Sequence, residues 1–301
     1  MVYQPKFYYQ RTIIKSENAA RGKIIRKESL ILASKSQTGF KVHPLFINEN
    51  GEEVEYVLLP AYEGSVYDVS GGAYDLDESV TIDFNNDKLS SIANAKPVTG
   101  AKNELTIDAA EKLARNRGTG WHITNMAMES AIQMLEMVEF GTMNGQSALG
   151  SGISNINGSS SYNCSSITGS TATLGNSSGS AAQTVNEING SRVTYSNNGR
   201  VAISYRGMEN PWGNTWRFVG GCNIYGNGNM ECGMPYICSN FNYNPATINT
   251  NYEGIGFYLP TLFGWISAMG YGNEKYDWVY MPIECQNGND ATPVGDNLWA
   301  V

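Results

Sequence analysis

SYRGMENPWGNTWRFV, residues Ser204–Val219, packs Gly207, Gly213, Asn210, Asn214, Trp212 and Trp216 into one short run. It is too rich in glycine for a helix. It is also too aromatic for a segment that stays unfolded. The run reads as a tightly turned, buried loop that organises a core. Gly207 and Gly213 supply backbone freedom, and the asparagines supply turn chemistry.

The rest of the chain suits such a loop. Among 301 residues only 16% are charged, while there are 33 Gly and 18 Tyr. A chain this long can bury a real core as one large or two modest domains. A composition of Tyr, Asn, Gly and Ser with few charges belongs to loop-rich and β-rich surface proteins. It also serves binding surfaces, where Tyr adds contact area at low entropy cost. The net charge of −8 and the lack of a basic stripe beyond Lys23, Arg26 and Lys27 argue against nucleic acid as a partner. No run of apolar residues is long enough to span a membrane. The start, MVYQPKFYYQRT, has no apolar leader. The expected route is synthesis in a cytoplasm, with any outside role reached by another way, such as lysis.

The cysteines Cys164, Cys222, Cys232, Cys238 and Cys285 form no C-x-x-C pair. The C-x9-C-x5-C spacing of Cys222, Cys232 and Cys238 is not a zinc pattern. Free thiols are expected, with no disulfide framework. No metal site is expected. Asp75, Asp77, Asp83 and Asp87 lack the spacing of a calcium loop and read as a solvated connection over 64–104.

Residues 1–37, with Tyr3, Phe7, Tyr8 and Tyr9 at the front, read as an N-terminal arm for assembly or as a simple first strand. Phe40–Phe46 and Tyr56–Tyr62 read as short strands around the turn Asn48–Gly51. Thr106 is a cap for a helix from Ile107 to Arg117, with Ile107, Ala110, Leu113 and Ala114 as its stripe and Gly118 as its stop. Thr124 or Asn125 caps a second helix reaching Phe140, whose buried face is Ala127, Ala131, Met134, Leu135 and Val138. From about 145 to 198 the chain turns to Ser, Gly, Asn and Thr. This stretch reads as an insertion without a core of its own, either flexible or built of surface hairpins. Its N-x-S sequons at Asn157, Asn163, Asn176 and Asn189 read as accidents of composition. Ile255–Ile266 and Trp278–Ile283 read as strands or buried segments. A Gly/Asn turn before the first exposes Tyr225, Asn227 and Asn229, and one between the two exposes Tyr271 and Asn273. These are the candidate ligand-facing residues.

No catalytic set assembles. His122 follows Trp121 at a helix start and reads as structural. His43 sits beside Pro44 with no local carboxylate, and Glu136 and Glu139 lie on a solvated helix face. The chain therefore reads as a non-enzyme.

Two segments, taken in order, carry a family resemblance. Trp121–Ala131, with Thr124 at the cap, resembles the helix opening of the formylglycine-generating-enzyme branch of C-type-lectin-like proteins. Gly207–Phe218, with Gly207, Glu209, Asn210, Trp212, Gly213, Asn214 and Trp216, resembles that branch's G-N-x-W loop. Together with Phe40–Phe46 and the G-x-G-W of Gly118–Trp121, the flow is similar to bacteriophage tail or fibre proteins and to the variable proteins of diversity-generating retroelements. The resemblance covers roughly residues 38–301. It implies an α+β, C-type-lectin-like domain over 38–301 with two helices, short antiparallel strands and long loops. It further implies a virion location and a receptor-binding role toward a bacterial surface glycan or protein. The alternative is a structural virion component such as a fibre, collar or head decoration. Other virion proteins, met through the N-terminal arm, and further copies of the chain in a homo-oligomer such as a trimer are the implied partners. The copper-binding cysteines and the H-x3-H-x-E iron site of the family's enzymes have no counterpart, and no cofactor is expected. Arg217 stands where the family has a Glu, which removes support for a calcium site nearby.

Overall fold

A computed structural model describes residues 1–99, 105–154, 165–181, 184–188, 191–195, 199–226, 233–238, 240–243, 251–261, 263–288 and 292–298. The protein is α+β, with three α-helices among the described residues and mostly antiparallel strands. It divides into two compact units, each assembled from distant parts of the chain.

The first unit comprises Met1–Gln4, Leu58–Ile123 and Leu149–Phe218. Strand Ser65–Asp68 pairs antiparallel with Ala73–Asp75 on one side and Lys88–Ser90 on the other. Helix α1, Ile107–Arg115, packs against this sheet. Thr106 caps it by accepting from the Ala109 amide, and Ala110, Leu113 and Ala114 are buried against Val66, Ile82 and Ile123. The i, i+3, i+4 spacing of these apolar residues places them on one helical face. The connection over 64–104 is not solvated throughout. Asp75 and Asp87 are buried. Asp75 accepts from the amides of Asp77, Ser79 and Val80, and Asp87 from those of Val69 and Asp83. Carboxylates that satisfy turn amides escape the usual cost of leaving water. A second small sheet aligns Gly179–Ser180, Ile203–Tyr205 and Met208–Glu209. Ile153, Ala181, Val201 and Ala202 form the apolar cluster beside it.

The second unit comprises Pro5–Val57, Thr124–Ala148 and Val219–Val301. Its main sheet runs Pro282–Gln286, Gly264–Tyr271, Gly22–Ala33, Tyr8–Ala19, Lys41–Val42, with Asn297–Leu298 also on Gly264–Tyr271. Within residues 1–37, read from sequence as an assembly arm or a simple first strand, Tyr8–Ala19 and Gly22–Ala33 form a hairpin of two 12-residue strands. The pleat alternates side chains, so Tyr9 enters the core while Thr12 faces out, and a register shift opposite Lys15 and Ser16 breaks the alternation where Ile24 and Ile25 are both buried and Arg26 is exposed. Helix α2, Met126–Phe140, packs on Gly22–Ala33 and on the 3-10 turn Pro44–Phe46. Asn125 is its cap, accepting from the Met128 amide, and Gly141 ends it at φ 67°. Its buried face is Met126, Ser130, Ala131, Met134 and Leu135, with Met128 and Ile132 also buried. Val138, expected inside, is 45% exposed, and Ala127 is only partly covered. The helix buries more of its first three turns than a single stripe predicts, and its last turn runs out into solvent.

Two further expectations change. Phe40–Phe46 is a two-residue strand followed by a 3-10 turn, because Pro44 cannot donate to a ladder. Ile255–Ile266 and Trp278–Ile283 read as strands or buried segments, and Ile255, Phe257, Trp278, Val279 and Tyr280 are buried ahead of strands that start at Gly264 and Pro282. A third, five-residue helix, α3 (Gly145–Leu149), opens the Ser/Gly/Asn-rich stretch. Later in that stretch Ser165, Ser166, Thr168 and Thr171 are buried, and Thr184–Ile188 pairs with Ser191–Tyr195 as a hairpin.

The Glu63-anchored loop as candidate functional site

The Ser204–Val219 loop is held by its backbone first. Arg206, Gly207, Asn210, Gly213 and Asn214 all have positive φ, between 49° and 87°. Glycine and asparagine tolerate this left-handed region best. At Gly213 (φ 80°) a Cβ would lie 2.6 Å from the Ile153 carbonyl oxygen, so only glycine fits. That closeness lets the Asn214 amide donate to the same carbonyl at 2.7 Å.

Side chains then tie the loop to two distant segments. Asn214 Oδ1 accepts from the Ser166 amide at 2.6 Å, and its Nδ2 donates to Glu63 Oε2 at 2.5 Å. Thr215 Oγ1 donates to Glu63 Oε1 at 2.6 Å, and Asn210 Nδ2 to Oε2 at 3.2 Å. Burial pushes the Glu63 carboxyl above its ordinary range, while Thr215, Asn214, the Arg217 charge and Asn210 pull against that rise. Glu209, also buried, does parallel work. Its Oε1 accepts from the Gly169 amide and its Oε2 from the Thr171 amide and hydroxyl, at 2.7–2.8 Å. Burial raises its pKa too, against the pull of the Thr171 and Gly169 hydrogen bonds. Sequence alone points to Glu209 through its motif but gives no signal for Glu63 or Ser166, which lie about 150 and 50 residues away.

The two tryptophans part company. Trp212 is partly covered: its Nε1 donates to the Gly150 carbonyl at 3.3 Å, and its ring lies over Gly152. Trp216 is 86% exposed and Phe218 41%. The expectation of a loop buried throughout is therefore corrected. The reason is alternation: Thr215 turns inward to Glu63 and Arg217 turns inward to the Pro211 carbonyl at 3.0 Å. The residues between and after them face out. Among the described residues Trp216 makes no hydrogen bond.

The other candidate positions are spread over the second unit. Tyr225, exposed, lies in strand Cys222–Gly226 with its ring edge-on to Tyr236. Tyr271 ends strand Gly264–Tyr271, with the Arg11 and Lys23 cations 5.7 and 5.6 Å from its ring centre. Asn273 Oδ1 caps the turn Glu274–Tyr276, accepting from the amides of Lys275 and Tyr276. Asn227 and Asn229 lie outside the described residues, as do Cys164, Cys232 and the sequons at Asn157, Asn163 and Asn189.

Both histidines are held in place. His43 is fully buried. Its Nδ1 accepts from the Leu45 amide, and its Nε2 lies 3.1 Å from Ser130 Oγ, which donates to the Trp278 carbonyl. An Nδ1 that accepts fixes the proton on Nε2. Burial alone pushes its pKa down to about 3. His122 Nδ1 lies 2.8 Å from Glu111, which also binds Arg115 and the Ile123 amide. Among the described residues, no group of three His, Cys, Asp or Glu is placed to hold a metal ion and no helix is long and apolar enough to cross a membrane. Compared with known proteins, the chain matches no family model and no curated protein.

Proposed function

We propose that this chain is a non-enzymatic receptor-binding protein of a phage virion, built on a C-type-lectin-like domain and directed at a bacterial surface glycan or protein. The observation that carries the reading is the Gly207–Trp216 loop. Its residues hold it in place: Gly213 by close backbone approach, Asn214 by cross-linking, and Glu209 by anchoring a neighbouring turn. A loop held this firmly lowers the entropy lost when a ligand binds beside it. The Tyr- and Asn-rich composition supports the same reading.

The test is binding of fluorescently labelled protein to a panel of bacterial strains, with purified surface polysaccharide from each strain as competitor. Saturable binding to some strains, abolished by their own polysaccharide, is expected. Equal, weak binding to every strain favours the structural virion component.

A further inference from the structure

We infer that Trp216 is a stacking platform for a neutral sugar ring, an inference that rests on the receptor-binding reading and names the chemistry of its ligand. Trp216 is the most exposed large apolar side chain among the described residues, at 86%. Leaving an indole in water forgoes the gain that burial would bring. The loop nevertheless holds the chain on either side of it. Thr215 before it is held by Glu63, Arg217 after it by the Pro211 carbonyl, and Asn214 by Ile153, Ser166 and Glu63. An exposed aromatic on an immobilised backbone is preorganised for contact.

Exposure alternates along Thr215–Phe218, so Trp216 and Phe218, two residues apart, are both turned to solvent. Two aromatic side chains cover at most about 150–250 Å² each. Their sum falls short of the roughly 800 Å² that each partner contributes to a stable protein interface. It suits the face of one or two pyranose rings. The electron-rich face of the indole attracts the polarised C–H bonds of such a ring. The Trp216 Nε1–H, without a partner among the described residues, is a donor available to a hydroxyl at the ring's rim. The net charge of −8 works against anionic saccharides and leaves a neutral sugar as the fitting class.

The experiment is affinity electrophoresis of the full chain through native gels containing an α-glucan, a mannan or a galactan, with Trp216→Ala and Trp216→Phe alongside. Binding of all three proteins to the bacterial panel is measured in parallel. At least one polysaccharide should retard the wild type, with apparent affinity falling about tenfold or more in Trp216→Ala and mostly kept in Trp216→Phe. Circular dichroism should be the same for all three. No retardation by any of the polysaccharides overturns the inference, as does equal retardation of Trp216→Ala. A smaller species of Trp216→Ala in light scattering also overturns it, since Trp216 would then join copies of the chain. If Trp216→Ala binds cells as the wild type does, this inference falls and the receptor-binding reading stands. If the wild type binds no strain selectively, both fall.

Discussion

Asn214 and Glu63, 151 positions apart, meet at 2.5 Å between Nδ2 and Oε2, and that contact fixes the loop that presents Trp216. Glu63 accepts from three side chains at once, so removing it leaves Asn210, Asn214 and Thr215 with unmade hydrogen bonds. Glu63→Ala should cost about 3 kcal/mol in urea unfolding of the wild type against the variant. Glu63→Gln keeps the shape but turns an amide donor toward other donors, and should cost about half as much. Equal stability of all three proteins would show that the loop does not depend on this carboxylate.

Gly213→Ala tests the backbone independently of charge. The new Cβ would press on the Ile153 carbonyl, and the residue would have to hold φ 80°. Strain plus displacement of the Asn214–Ile153 bond should cost about 2–4 kcal/mol. Gly51→Ala makes the comparison. It shares a positive φ of 79° but meets nothing within 4 Å, so only the conformational cost of about 1 kcal/mol applies. Similar losses at both sites would mean that contact with Ile153 does not matter.

What could be read in advance follows from how local the physics is. Thr106 and Asn125 act within one helical turn of themselves, so the starts of both long helices are legible from caps and spacing, whereas the first ends at Arg115 with Asn116 as its cap, short of the Arg117 end and the Gly118 stop expected. Gly213 and Asn214 announce a turn, again locally. Nothing local tells that Asn214 will find Glu63 and Ser166, because those partners come from other parts of the chain. Nor does composition tell that Trp216 faces out. Its exposure follows from Thr215 and Arg217 taking the inward positions. Asp75 and Asp87 mislead for a related reason. Their charge suggests solvent, yet the turn amides that bury them are invisible until the turns form.

His43 contributes to the acid limb of the stability profile. Its folded pKa of about 3 lies below the unfolded value near 6.5, so the unfolded chain binds the extra proton between those limits. Its effect on stability is therefore absent above about pH 6.5. As pH falls toward 3, stability is lost at up to about 1.4 kcal/mol per pH unit. His43→Gln, which can still donate to Ser130, should flatten that limb in urea unfolding at pH 4, 5 and 6. An unchanged slope would assign the acid sensitivity to other groups.

Glu136 acts in the opposite sense at higher pH. It is partly buried on α2, with Oε1 lacking a partner among the described residues. Burial first, and then the charges of Glu129 and Glu139, push its pKa up to about 8. The folded chain thus holds a proton that the unfolded chain releases near 4.5. The resulting stability is fully present below pH 4.5 and is lost as pH rises through 8, again at up to about 1.4 kcal/mol per unit. Glu136→Gln removes the titration while keeping the shape. Its melting temperature should match the wild type near pH 4 and exceed it increasingly from pH 6 to 8. A constant offset between the two proteins across that range would mean that Glu136 stays ionised in the folded chain. The high-pH loss of stability would then have to come from another group.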